Sequence, residues 1–239
     1  MGNNGGDRNV IELLWSYRGM FGNALLVTLL IAVAAIAIGL VIGLICASVR
    51  VAPKTNIVIR IADKIVGLYI MIIRGTPTLL QLLISANVIM LPIYNAGTNI
   101  LVPMVAFGIN SGAYMAEIFR SGFNSVDRGQ LEAGRSLGLS WLTTTTRIII
   151  PQAVKTIIPT IFNEIIILVK ETSVVSYVAI FIGGIQVYDL LGMADKQGLS
   201  TGEYLAFLVT AALIYLVVVL VLTLIQKIIE RRFGRSDRR

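Results

Sequence analysis

Uncharged apolar runs of bilayer length alternate with short polar breaks along this chain, and the alternation predicts a bundle of membrane-crossing helices. Residues 21–49 carry no charge and exceed the roughly 20 residues that cross a bilayer as a helix, so they form helix 1. The run is too long for the apolar core of a secretory signal. Its small residues Ala35, Gly39, Gly43 and Ala47 recur at every fourth position, a stripe that either packs within the chain or meets a second copy. Ahead of it, residues 1–20 are a polar lead, and Ile11 to Trp15 read as an interfacial anchor rather than structure. Residues 57–91 form helix 2, broken at 74–77, because Pro77 removes a backbone bond and pushes Thr76 out of helical geometry. A short uncharged loop, 92–98, leads to helix 3 at 100–119. Helix 4 covers 154–182, with Pro151 and Pro159 interrupting its start from Ile148; a polar loop follows at 183–203. Helix 5, 204–229, ends in a basic tail, 230–239. The fold class is therefore an all-α membrane protein with five transmembrane helices.

The longest polar interruption lies between helices 3 and 4, at 120–151, and its second half has signals of its own structure. Asp127 is placed to N-cap a short helix, with Gln130 three residues later completing a capping-box pattern. Gly138 offers a left-handed stop and Ser140 a second N-cap. Two short helices with a sharp corner between them fit a groove on another protein.

Composition strengthens the membrane reading: 56% of residues are hydrophobic, 14% are charged and mean hydropathy is +0.84. The net charge of +7 is mostly a topology signal. The cations at 50–64, at 120–155 and in the tail fall on one side of the predicted bundle, against Arg8, Arg18 and Lys196 on the other. The positive-inside rule then places the 120–151 loop and the C-terminus in the cytoplasm and the N-terminus outside. Anionic headgroups account for the basic tail, so no nucleic-acid partner is called for. The single cysteine, Cys46, lies in an apolar run and permits no disulfide framework. The absence of histidine removes Ser-His-Asp catalysis, HExxH zinc proteolysis and His-based proton relays together. G-x-S-x-G does occur at Gly134 to Gly138, but without the preceding strand and the His that a nucleophile elbow needs. No metal or cofactor site is expected.

Glu132-Ala133-Gly134, three residues, Gly138, nine residues and Ile148-Ile149-Ile150-Pro151 resemble the EAA loop of ABC importer permeases, E-A-A, three residues, G, nine residues, I-x-L-P. Gly134 stands where that pattern has its second alanine and Ile150 where it has leucine, and a glycine there loosens the helix by up to about 1 kcal/mol. The R-G-T-P segment with Gln81 four residues on, N-S-G-A-Y-x-A-E from Asn110, and K-E-T-S from Lys170 are similar to the polar amino acid branch of the same family, the histidine/glutamine/arginine type. The resemblance implies a type I importer permease fold in a bacterial-type cell membrane. It also implies a second permease subunit, two cytoplasmic ATPase subunits and an extracytoplasmic solute-binding protein. The chain has no G-x-x-x-x-G-K-[ST], so ATP and Mg²⁺ belong to the partner ATPase. On this reading Glu132 is the polar contact to that partner and Gly138 the corner, with Leu131, Leu137, Leu139 and Trp141 supplying apolar burial.

Ionisable groups inside a bilayer are functional candidates by default. Asn110, Tyr114 and Glu117 share one face of helix 3, beside Ser111. Glu164, Leu168 and Glu171 share one face of helix 4, near Lys170, Thr172 and Ser173. Such faces suit the charged ends of a zwitterion; alternatively Lys170 and Glu171 pair structurally. A self-contained carrier driven by an ion gradient is the other functional class, although such carriers often show an inverted internal repeat and none is evident here.

Overall fold

The computed structural model describes residues 10–91 and 99–234. The polar lead with Arg8, the 92–98 loop and the end of the tail with Arg235, Arg238 and Arg239 lie outside the described residues. In chain order the elements are α1 (Val10–Ser16), α2 (Arg18–Val51), α3 (Ile57–Gly75), α4 (Thr78–Ile84) with a π turn (Ser85–Ile89), and α5 (Leu101–Asn124). Then come α6 (Arg128–Ser136), α7 (Trp141–Thr144) with a π turn (Thr145–Ile149), and α8 (Ile150–Glu171) with a 3₁₀ turn (Thr172–Tyr177). The antiparallel hairpin β1 (Ile180–Ile182) and β2 (Ile185–Val187), α9 (Leu190–Thr201) and α10 (Tyr204–Gly234) complete the chain.

Among the described residues, four helical stretches are long and apolar enough to cross a membrane: Arg18–Val51, Leu101–Asn124, Trp141–Tyr177 and Tyr204–Arg232. The 57–91 stretch, expected as one broken span, is two helices. α3 carries Arg60, Asp63, Lys64 and Arg74, too many charges for a span, and the apolar helix Thr78–Ile89 is shorter than the other four. Between them Thr76 is extended at φ −123°, ψ 149°, the geometry that a following proline imposes.

The chain forms two compact units. One draws on Met1–Ile36, Pro77–Gly108 and Ile167–Val221, the other on Ala37–Thr76, Ile109–Ile166 and Leu222–Arg239. The first unit has two apolar cores. Ile31, Leu82, Phe107, Leu168 and Val175 belong to one, and Leu13, Phe21, Leu190, Met193 and Phe207 to the other. Leu13 corrects the reading of Ile11 to Trp15: those residues lie in a helix, anchored by a fully buried leucine. The expected polar loop at 183–203 is likewise structured. Gly183 and Gly184, both at positive φ, turn the hairpin, Asp189 caps α9, and Gly202 at φ 78° closes it. Short strands and a polar, well-capped helix have no strong apolar period to announce them.

In the second unit Gly39 and Gly43 of the small-residue stripe lie in an internal seam. A Cβ on Gly39 would lie 2.7 Å from Ser111 Oγ, and one on Gly43 would strike Met115. α3 packs its Val66, Ile70 and Ile73 with Cys46, Ala113 and Ala116, and Tyr69 donates to the carbonyl of Ile109. Arg50 and Lys54 close on Asp63 at 3.1 and 2.9 Å. Gly43→Ala overpacks this seam, with an expected loss of about 1–3 kcal/mol. A lowered thermal midpoint of the detergent-purified chain reads it, with Gly22→Ala, where nothing lies within 4 Å, as the neutral control.

Helix ends also depart from expectation. Helix 3 runs on to Asn124, and helix 4 is continuous from Trp141 to Tyr177 despite its prolines. The π turn before Pro151 explains the continuity at that proline. Ile150 N donates to Thr145 O across the wider turn, and the Gln152 amide donates to Ile148 O at 3.0 Å, so the missing proline N–H is absorbed without a break.

Candidate functional site

Three local devices build the corner between α6 and α7. Asp127 Oδ1 accepts from Gly129 N at 2.7 Å, and the Gln130 N–H returns to the Asp127 carbonyl. At the other end of α6, the N–H groups of Leu137, Gly138 and Leu139 donate to the carbonyls of Ala133, Arg135 and Gly134. Gly138 stands at φ 80°, a left-handed conformation with room on every side, which makes it the hinge of the corner. Ser140 Oγ then accepts from Thr143 N at 3.0 Å and starts α7. The result is a rigid elbow.

Its surface is unusual for a solvated loop. Leu137 is 80% exposed, Leu142 64% and Trp141 39%, while Leu131 and Leu139 are half-buried. Glu132 and Ala133 are exposed on α6, Gly134 is buried, and Pro151 is exposed at the start of α8. An apolar patch beside an exposed carboxylate on a capped corner is a surface suited to contact with another protein or with the membrane. Ser136 of the G-x-S-x-G pattern ends a helix and donates to the Glu132 carbonyl at 3.0 Å, so no strand-to-helix elbow presents it.

The candidate path residues fall into different settings. On α5, Asn110 and Ser111 are buried, Tyr114 is half-buried, and Arg74 stacks over its ring at 5.2 Å. Glu117 is engaged: Arg120 grips it with bonds of 2.7 and 3.1 Å, and Arg74 approaches to 3.9 Å. Glu164 is buried at 8% exposure in its own unit. Leu168, on the same helix face in the sequence, is a core residue. Gln81, Glu171 and Ser173 are half-buried, Thr172 is buried with its hydroxyl on Val169 O, and Lys170 is exposed. Lys170 and Ser173 share a pocket of about 410 Å³, walled by Ala212, Tyr215, Leu216 and Val219. A cation and a hydroxyl over an apolar wall suit a carboxylate with a carbon stem.

Two residues that shape the same unit have no sequence motif. Asn99 pins the hairpin, donating to Ala179 O at 2.9 Å and accepting from Phe181 N at 2.6 Å. Asp189, 1% exposed, receives N–H bonds from Leu191 and Gly192, and burial nonetheless pushes its carboxyl up to about 6. Both are isolated polar letters whose roles come from partners far along the chain or from burial, so only the Asp-to-helix spacing at 189 offered a signal.

Comparison with known proteins identifies the fold and the family. The family described as "Binding-protein-dependent transport system inner membrane component" matches residues 39–235. The arginine transport system permease protein ArtQ of Bacillus subtilis is 35% identical over 213 residues, covering 89% of this chain and 92% of that protein. Among solved structures, an amino acid ABC transporter crystallised with histidines superposes with a TM-score of 0.82 at 33% identity, over 94% of this chain and 99% of that one. An inward-facing MetNI methionine ABC transporter shares the fold at 16% identity, with a TM-score of 0.75 over 91% of this chain and 98% of that one. The chain is an integral membrane protein with the type I importer permease fold, and it belongs to the family of binding-protein-dependent inner membrane components of ABC importers.

Proposed function

We propose that this chain forms the translocation path of an importer for polar amino acids and is driven through its elbow by a separate ATPase. The observation that carries the coupling role is the elbow itself, a capped corner with exposed Leu137, Trp141 and Leu142 around Glu132. The substrate class rests on the names of its relatives, an arginine permease and an amino acid transporter holding histidines.

The charge asymmetry orients the chain with elbow and C-terminus in the cytoplasm of a bacterial-type cell, in its inner or cytoplasmic membrane. ATP and Mg²⁺ sit on the two ATPase subunits, whose closure moves the elbow as a rigid body. A second permease subunit completes the assembly. On the outer face, a groove of about 330 Å³ between the start of α2, β2 and α9 meets the solute-binding protein, with Lys196 held over Tyr188 at 4.3 Å. In the Lys170 pocket, the ammonium and Ser173 hold the substrate carboxylate, and Glu171 on the same stretch answers the amino group. Asn110, Ser111, Tyr114, Glu164 and Gln81 are assigned to the path separately.

Reconstitution tests the reading. Uptake into liposomes is expected only with the ATPase subunits and ATP present. Accumulation by the purified chain alone under an ion gradient would establish the self-contained carrier instead.

A further inference from the structure

Gly134 and Gly138 of the elbow are there for different reasons. Gly138 has the left-handed backbone and open space around it, whereas Gly134 lies within α6 and is buried. A Cβ on Gly134 would lie 2.5 Å from Thr144 Cγ2, 2.8 Å from Thr144 Oγ1 and 3.2 Å from Thr144 Cβ. Thr144 is fully buried, and its hydroxyl donates to the Ser140 carbonyl at 3.0 Å. That bond holds the side chain against α6 and leaves the methyl nowhere to retreat. Leu139 N, on the connecting turn, donates to the Gly134 carbonyl, so the glycine is fixed from both sides.

We propose that Gly134 and Thr144 are a matched pair that sets the angle between α6 and α7, making Gly134 a positioning residue for ATPase engagement. The departure from alanine at this place in the E-A-A pattern is then a fit rather than a loss: the threonine fills the volume that the alanine methyl would take. Gly134→Ala wedges α6 from α7 and swings Glu132 and Leu137 away from Trp141. The proposal rests on the elbow being the coupling surface, but the pairing itself is measurable without the ATPase.

The test compares Gly134→Ala, Thr144→Ala and the double variant in the full chain. With Trp15 replaced by phenylalanine, Trp141 is the one remaining tryptophan and its emission reports the corner. Gly134→Ala is expected to shift that emission and, in the reconstituted complex, to lower uptake per ATP hydrolysed by about tenfold. Thr144→Ala alone is expected to change the ratio less than about threefold, and the double variant to return to within about twofold of the parent, the non-additivity that a direct steric pair gives. Unaltered emission and uptake in Gly134→Ala, or a double variant no better than the single, overturns the pairing. Retention of the ATPase by a Glu132→Arg chain with the Trp141 shift intact would instead overturn the docking reading alone.

Discussion

Glu132→Arg and Gly138→Pro are each expected to release the ATPase subunits from the purified complex while leaving membrane insertion intact. Glu132 is exposed beside the apolar patch of the elbow, so reversing its charge opposes whatever cation the partner supplies without disturbing the fold. Truncating one side of such an interfacial pair costs about 2–5 kcal/mol, and reversal costs no less, so retention falls by at least about tenfold. Gly138 acts through the backbone. Its φ of 80° is closed to proline, whose ring fixes φ near −65°, and its N–H donates to Arg135 O, a bond proline removes. The corner then cannot form, although α2 and α10, the most hydropathic spans, still insert. Co-purification and ATP-driven uptake check both variants; parental values in each would contradict the docking role.

Lys170→Met gives the second large effect, with the opposite signature. The side chain of methionine preserves the apolar stem but removes the cation from the pocket shared with Ser173. A hydrogen bond to a charged group is worth about 1.5–3 kcal/mol, so uptake is expected to fall about tenfold to a hundredfold. ATPase retention should hold, since the elbow is untouched. Glu171→Ala is expected to follow the same pattern. Normal transport by both variants, measured with radiolabelled arginine or histidine in proteoliposomes, would remove the K-E-T-S stretch from the path.

The parts of this fold that were legible in the sequence are those governed by a single strong local rule. Uncharged length announces α2 and α10, and Pro77 announces the break between α3 and α4. The elbow is legible because Asp127, Gly138 and Ser140 each have a backbone task that few other residues perform. What was hidden depends on partners distant in sequence. Asn99 means nothing until Phe181 and Ala179 lie beside it, and the apolar stripe of α9, Leu190, Met193 and Ala194, lasts one turn before Asp195, Lys196 and Gln197 end it. Proline misled in the other direction: the π turn at Thr145–Ile149 is a tertiary accommodation that propensity rules do not contain. The pairing of Gly134 with Thr144 was likewise invisible, since a helix-interior glycine reads as a weakness until its neighbour is seen.

Within the candidate path, Glu117 and Lys170 stand in different surroundings. Glu117 lies on the face of Asn110 and Tyr114, yet its carboxylate is taken by Arg120 and approached by Arg74. Lys170, by contrast, opens on a pocket.

The central claim is that the elbow is held by an ATPase in the cytoplasm, and site-directed crosslinking in native membranes tests it most directly. With Cys46, the sole cysteine, replaced by serine, Leu137→Cys places a single thiol on the most exposed apolar residue of the corner. A bifunctional reagent should then yield a product containing this chain and a nucleotide-binding subunit, with the thiol reached by membrane-impermeant maleimide only in inside-out vesicles. Labelling from the exterior, or a thiol that reacts freely yet joins no such subunit, would contradict it.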